Sequence, residues 1–180
     1  MANKIDLGGV ESFNQREKFL IDTNILLKIL IYPSLFKGET NPYDTFWEEA
    51  IDKNLRLFVT PLTISEFINV ICRENYKTYM ELNDLSSSYY GFKHDYQESV
   101  GFREVYEDCL NAVNDDILPH VEVINADKKI LTSLSKNSNL MKDYNDLIYY
   151  SLALNEGLSI ITHDSDFLQI KEDIKIYTYL

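Results

Sequence analysis

Apolar residues follow two rhythms along this chain. Short unbroken runs read as buried strands: Phe19, Leu20 and Ile21 in "KFLID", then "LRLFVT", "HVEVINA", "LSIIT" and "IKIYTYL". Between them, apolar positions recur three and four residues apart, the helical spacing. Ile25, Leu26, Ile29 and Leu30 form one such stripe, and Phe46, Ala50 and Ile51 a second. Leu62, Ile64, Phe67, Ile68 and Ile71 follow Pro61, which suits a first helical position. A further helix is expected over "YQESVGFREVYEDCLNAVNDD" despite Gly101, and another over "ADKKILTSLSKNS". The strongest is "LMKDYNDLIYYSLALNEG", where Leu147, Ile148, Ser151, Leu152 and Asn155 make the stripe and Gly157 the stop. Residues 78–95, rich in tyrosine and serine, read as a connection.

Strands alternating with helices imply an α/β fold. The expected architecture is a mainly parallel central sheet flanked by helices on both faces, a Rossmann-like three-layer arrangement. Functional crevices in such sheets lie at the carboxyl ends of the strands, and two aspartates stand there: Asp22 after "FLI" and Asp164 after "SIIT".

Composition refines this picture. At 180 residues and 45% hydrophobic, the chain can bury one substantial core. The polar start, residues 1–17, reads as a loosely held lead-in to one domain spanning 18–180. It lacks the apolar stretch of a signal peptide, and the apolar run 25–32 is interrupted by Lys28, so no membrane span is expected. Cys72 and Cys109, outside any CxxC pair, read as buried free thiols and fit a cytoplasmic location. The net charge is −12, which disfavours non-specific polyanion binding. Half of it is local: between Asp84 and Leu118, eight acids face only Lys93 and Arg103, marking an acidic, tyrosine-rich helical insertion at about 79–118.

Each candidate carboxylate has an ordinary explanation. Asp22 suits a helix N-cap. Glu66 suits a solvated helix face, Asp146 the positive end of a helix, and Asp164 and Asp166 a turn. Together they argue differently. Acids from two strand tips and from the starts of two helices would converge on one sheet edge, where they repel unless cations sit among them. Oxygen donors select hard ions, Mg²⁺ or Mn²⁺.

With "FLIDTNIL", "TISEF" and "NDLIYYSLALNEGLSIITHDSDF" in this order, the chain resembles the PIN domain family, from Phe19 to about Phe167. The resemblance implies a metal-dependent nuclease with Asp22, Glu66, Asp146 and Asp164 as its catalytic and metal-binding acids. Asp166 would be a supporting metal ligand, and Thr23, Asn24 and Thr162 small polar residues that orient them. It also implies an RNA substrate, single-stranded or looped, an antitoxin partner of the kind that blocks VapC-type toxins, and a homodimer. Asp143 reads as a helix cap. His163 reads as a spectator, turned from the acids by strand alternation. A second class stays open: a non-catalytic PIN-like scaffold whose acidic surface recruits a basic partner.

Overall fold

A computed structural model describes residues 3–7, 13–31, 41–136, 139, 141–169 and 174–180. It divides into two compact units, Met1–Thr63 with Val121–Leu180, and Ile64–His120.

The first unit holds a six-stranded, all-parallel sheet. Its strands are β1 (Asn3–Asp6), β2 (Lys18–Ile21), β3 (Arg56–Val59), β4 (Glu122–Val123), β5 (Ser159–Ile161) and β6 (Lys175–Thr178), in the order β1-β6-β5-β2-β3-β4. The helices are α1 (Thr23–Leu30), α2 (Pro42–Asp52), α3 (Pro61–Leu82), α4 (Val100–Ala112), α5 (Lys128–Ser133) and α6 (Tyr144–Glu156). α3 starts in the first unit, and α4 lies in the second.

Both sheet faces are covered, which is why the central strands are apolar without alternation. On one face Leu20, Phe58, Ile160 and Ile176 pack with Leu147, Ile148 and Leu152 of α6 and Ile130 of α5. On the other, Phe19 and Tyr177 meet Phe46 of α2 and Phe13, with ring centroids 5.0–5.8 Å apart. α6 ends as expected at Gly157, whose left-handed backbone (φ 64°, ψ 47°) lets the chain turn directly into β5.

Two readings of the pattern need correction. The polar start is not merely a lead-in: Asn3–Asp6 pairs with β6 as an edge strand, where polar side chains are tolerated, and Phe13 is buried. The strand expected in "HVEVINA" shrinks to Glu122 and Val123, both exposed at the opposite edge.

Glu17 fastens the chain just before β2. Its carboxylate accepts bonds from Ser159 Oγ (2.6 Å), Lys175 Nζ (2.9 Å) and Tyr177 Oη (3.0 Å). Burial by itself would raise its pKa, but these three donors outweigh it and hold the carboxyl below its ordinary 4.5. A depressed folded pKa gives stability that is complete above the unfolded value and lost as pH falls through the folded one. Thermal unfolding from pH 7 downward should therefore show wild type ahead of Glu17→Gln at neutral pH. The gap should close below about pH 4.3; a pH-independent gap would show that this carboxylate is not linked to folding.

In the second unit, the tyrosine-rich stretch is packed rather than loose. Tyr96 is fully buried and donates to Asn75 Oδ1 (2.5 Å), Tyr79 and Tyr90 stack at 5.7 Å, and the Arg73 guanidinium lies 4.9 Å over Phe92. Cys72 and Cys109 are free and buried, and burial together with the Cys72 thiol pushes Cys109 up to about 12. Eleven acids against four bases give this unit a net charge of −7. Among the described residues, no helix is long and apolar enough to cross a membrane.

Candidate active site

β2 ends at Ile21, and the Asp22 N–H continues its ladder by donating to Ile161 O (3.1 Å). Asp22 occupies the N-cap position of α1, yet its side chain makes no cap hydrogen bond. Its Oδ2 instead accepts from Thr162 Oγ1 (2.5 Å) and Asn24 Nδ2 (2.5 Å). Thr162, fully buried after β5, also accepts the Asp164 N–H at Oγ1 (2.9 Å), so one hydroxyl ties the two strand tips together. Asn24 completes the link by accepting the His163 N–H at Oδ1 (2.9 Å). These are the contacts of a carboxylate held in place by its neighbours, as ligands of hard cations are. The ordinary capping account of Asp22 does not describe its side chain.

The other acids divide. Asp164 Oδ1 accepts the Asp166 N–H (2.8 Å), a turn contact that leaves Asp164 half-buried and Asp166 exposed. Asp143 caps α6, accepting from the N–H groups of Asn145 (2.7 Å) and Asp146 (3.3 Å). Asp146 is half-buried in the first turn of α6. One turn later on the same face, Tyr149 Oη donates to Ile21 O (3.0 Å), tying the start of α6 to the residue before Asp22. Thr23 Oγ1 donates to Thr63 O (3.5 Å) in the first turn of α3. Glu66 falls in the second unit, exposed in the second turn of α3.

The sequence matches the model of the PIN domain family over residues 19–173. The chain belongs to the PIN domain family. Its fold is similar to DNA-bound VapBC from Salmonella typhimurium (17% identity, 91% of this chain and 99% of that one, TM-score 0.54). It is also similar to VapBC2 from Rickettsia felis bound to a promoter DNA fragment (16%, 88% and 97%, 0.53) and to FitAcB from Neisseria gonorrhoeae (12%, 89% and 96%, 0.51). At such identities the likeness concerns fold alone. No curated protein matches the chain in sequence.

PIN domain nucleases generally use divalent metal ions, and this donor set is all oxygen, the chemistry of a hard cation. The carboxylates do not, however, form a closed cage: among the described residues, no three His, Cys, Asp or Glu side chains are grouped to hold an ion. The four-acid convergence expected from sequence is thus not drawn together here. What is present suits Mg²⁺, which keeps several waters and commonly takes only one or two protein carboxylates beside substrate phosphates. Asp22 is the most firmly held carboxylate there, tied through the Thr162 hydroxyl to the Asp164 backbone N–H.

Two tyrosines escaped the sequence reading. Tyr149 was indistinguishable from core in an apolar stripe. Tyr43 is fully buried, and its hydroxyl lies 2.7 Å from His163 Nδ1 while accepting the Tyr179 N–H (3.0 Å). Burial, with the Lys28 charge, holds His163 below its ordinary pKa.

Proposed function

We propose that this PIN domain is a metal-dependent endoribonuclease that hydrolyses phosphodiester bonds in single-stranded or looped RNA. It would act in the cytoplasm as a homodimer and as the toxin of a toxin–antitoxin pair. One observation carries the reading: Asp22 forgoes the helix cap and is held at the sheet edge by Thr162 and Asn24. Family membership supports the nuclease class. The similarity to chains from VapBC complexes supports an antitoxin protein as partner.

In this reading Asp22 and Asp164 hold Mg²⁺ or Mn²⁺ beside waters and substrate phosphates, with Asp146 and Asp166 supporting. The bound ion supplies a water of lowered pKa and stabilises charge on the leaving oxygen. The chain's own part is positional. Thr162 and Asn24 fix the Asp22 carboxylate, Asp143 fixes the start of α6 and with it Asp146, and the Asp166 N–H orients Asp164.

The test is cleavage of an end-labelled, mixed-sequence single-stranded RNA with Mg²⁺ or Mn²⁺. Wild type and Asp146→Asn run side by side, each with an EDTA control. Cleavage by wild type alone, abolished by EDTA, is the expected result. A folded wild type that neither cuts nor binds Mn²⁺ would leave the second reading, a scaffold that recruits a basic partner. The exposed acids of the second unit, Glu104, Glu107, Asp108, Asp115 and Asp116, favour that alternative.

A further inference from the structure

Three buried hydroxyls stand in a row beneath the carboxylate edge: Thr60 just past β3, Thr63 in the first turn of α3, and Tyr149 of α6. Their bonds have one direction. A carbonyl can only accept, so the Tyr149 proton lies on Ile21 O (3.0 Å). Tyr149 Oη therefore accepts in its bond with Thr63 Oγ1, and Thr63 donates. With its own proton committed, Thr63 Oγ1 accepts from the Thr60 N–H (3.1 Å) and the Thr60 hydroxyl (2.9 Å). Thr60 Oγ1 in turn accepts the Thr63 N–H (3.1 Å). Each hydroxyl proton in the row has an acceptor, as burial requires. The row ends on the carbonyl of the residue before Asp22.

Its position matters for the acids above it. α6 runs from the carboxyl edge back to the amino ends of the strands, since it turns through Gly157 directly into β5. From Tyr149, Asp146 stands three residues, about 4.5 Å, nearer the edge on the same helix face. From Ile21, Asp22 stands one residue, about 3.3 Å, nearer the edge. The Tyr149–Ile21 bond is thus a cross-tie just below both acids.

We infer that Tyr149 is a positioning residue for metal-dependent cleavage: its hydroxyl, oriented by Thr63 and Thr60, sets the first turn of α6 with Asp146 against the β2 tip with Asp22. This rests on the nuclease reading. Mg²⁺ demands near-octahedral geometry and short bonds, so the acids around it have to be held at a fixed separation. Thr162 and Asn24 orient the Asp22 carboxylate from β5 and α1. The Tyr149 hydroxyl adds the tie to α6, which carries the supporting acid.

The test uses the full chain, with kcat and KM read on the end-labelled single-stranded RNA in Mn²⁺, and Mn²⁺ affinity read by calorimetry. Tyr149→Phe keeps the ring but deletes the donor to Ile21 O and the acceptor for Thr63. It should lower kcat about tenfold or more, the range for losing an outer partner of a metal site. KM for RNA should stay within about twofold, because the buried hydroxyl meets no substrate. Mn²⁺ affinity should fall with kcat. Thr63→Val cuts the row one bond earlier and should follow Tyr149→Phe. Thr63→Ser keeps the hydroxyl and should hold kcat within about threefold of wild type. Ile130→Val, in the core cluster that includes α6, loses stability without touching the row and should keep wild-type kcat.

Tyr149→Phe with wild-type kcat and Mn²⁺ affinity would overturn the inference. So would Thr63→Ser as impaired as Thr63→Val, or Ile130→Val losing as much kcat as Tyr149→Phe at a matched fall in melting temperature. If Tyr149→Phe fails to fold, the Thr63 pair decides by the same comparison. The two readings fail separately. Cleavage by wild type and Tyr149→Phe alike removes only the positioning role. A wild type that binds Mn²⁺ without cutting removes the nuclease, and the Mn²⁺ affinities of the same variants then decide Tyr149. A wild type that neither cuts nor binds removes both.

Discussion

Asp22→Asn is expected to abolish metal-dependent RNA cleavage, by at least about 100-fold, the upper range for losing even a residue that only supports a metal ligand. The change is nearly isosteric, so the effect is one of charge and hydrogen bonding. An Asn oxygen could still accept from Thr162 Oγ1 and Asn24 Nδ2, which now hold Asp22 Oδ2 at 2.5 Å each. Backbone pairing is untouched as well, because the residue 22 N–H still donates to Ile161 O. The fold should therefore survive, and thermal unfolding should move by no more than a few degrees. What is lost is the negative charge that a hard cation requires. Mn²⁺ affinity, by calorimetry, should fall with activity. Cleavage at the wild-type rate with wild-type Mn²⁺ affinity would remove Asp22 from the site and the proposed function with it.

Asp22 also shows how far a sequence can be read. Its place at a strand tip before a helix was legible from "FLIDTNIL", because an unbroken apolar run followed by helical spacing leaves few alternatives. The side chain's choice between capping α1 and facing a ligand was not. That choice depends on Thr162, 140 residues away, which becomes a neighbour only once β2 and β5 pair. The tyrosine-rich stretch failed for a different reason. Tyr76 and Tyr79 share a face of α3, but Tyr90 and Tyr96 lie beyond it at no helical or strand period from them, so the packing of the four through ring contacts and side-chain bonds to Tyr90 O and Asn75 has no one-dimensional signature. β1 was missed because an edge strand needs no apolar stripe; its parallel register against β6 supplies the bonding. Gly157 was legible outright, since a left-handed stop leaves its mark in a single residue.

The largest stability effect is expected at Phe19. Replacing it with alanine should cost about 3–5 kcal/mol, the range for truncating a buried aromatic. Phe19 is fully buried in the central strand β2, with ring centroids of Phe13, Phe46 and Tyr177 at 5.7, 5.5 and 5.4 Å. Those three rings come from the segment before β2, from α2 and from β6, so the cavity would open where separate elements meet and where collapse is hardest. For a chain of this length the melting temperature should fall by roughly 6–20 °C. Leu20, one residue on, packs on the opposite face with α6, and that cluster should be left intact by the substitution. The measurement is chemical denaturation of wild type and Phe19→Ala followed by tyrosine fluorescence and circular dichroism. A loss below about 1 kcal/mol, the size of an ordinary surface change or less, would mean that the aromatic face does not carry the sheet. It would also mean that Asp22, three residues on and just past the end of β2, is positioned by something other than the packing described.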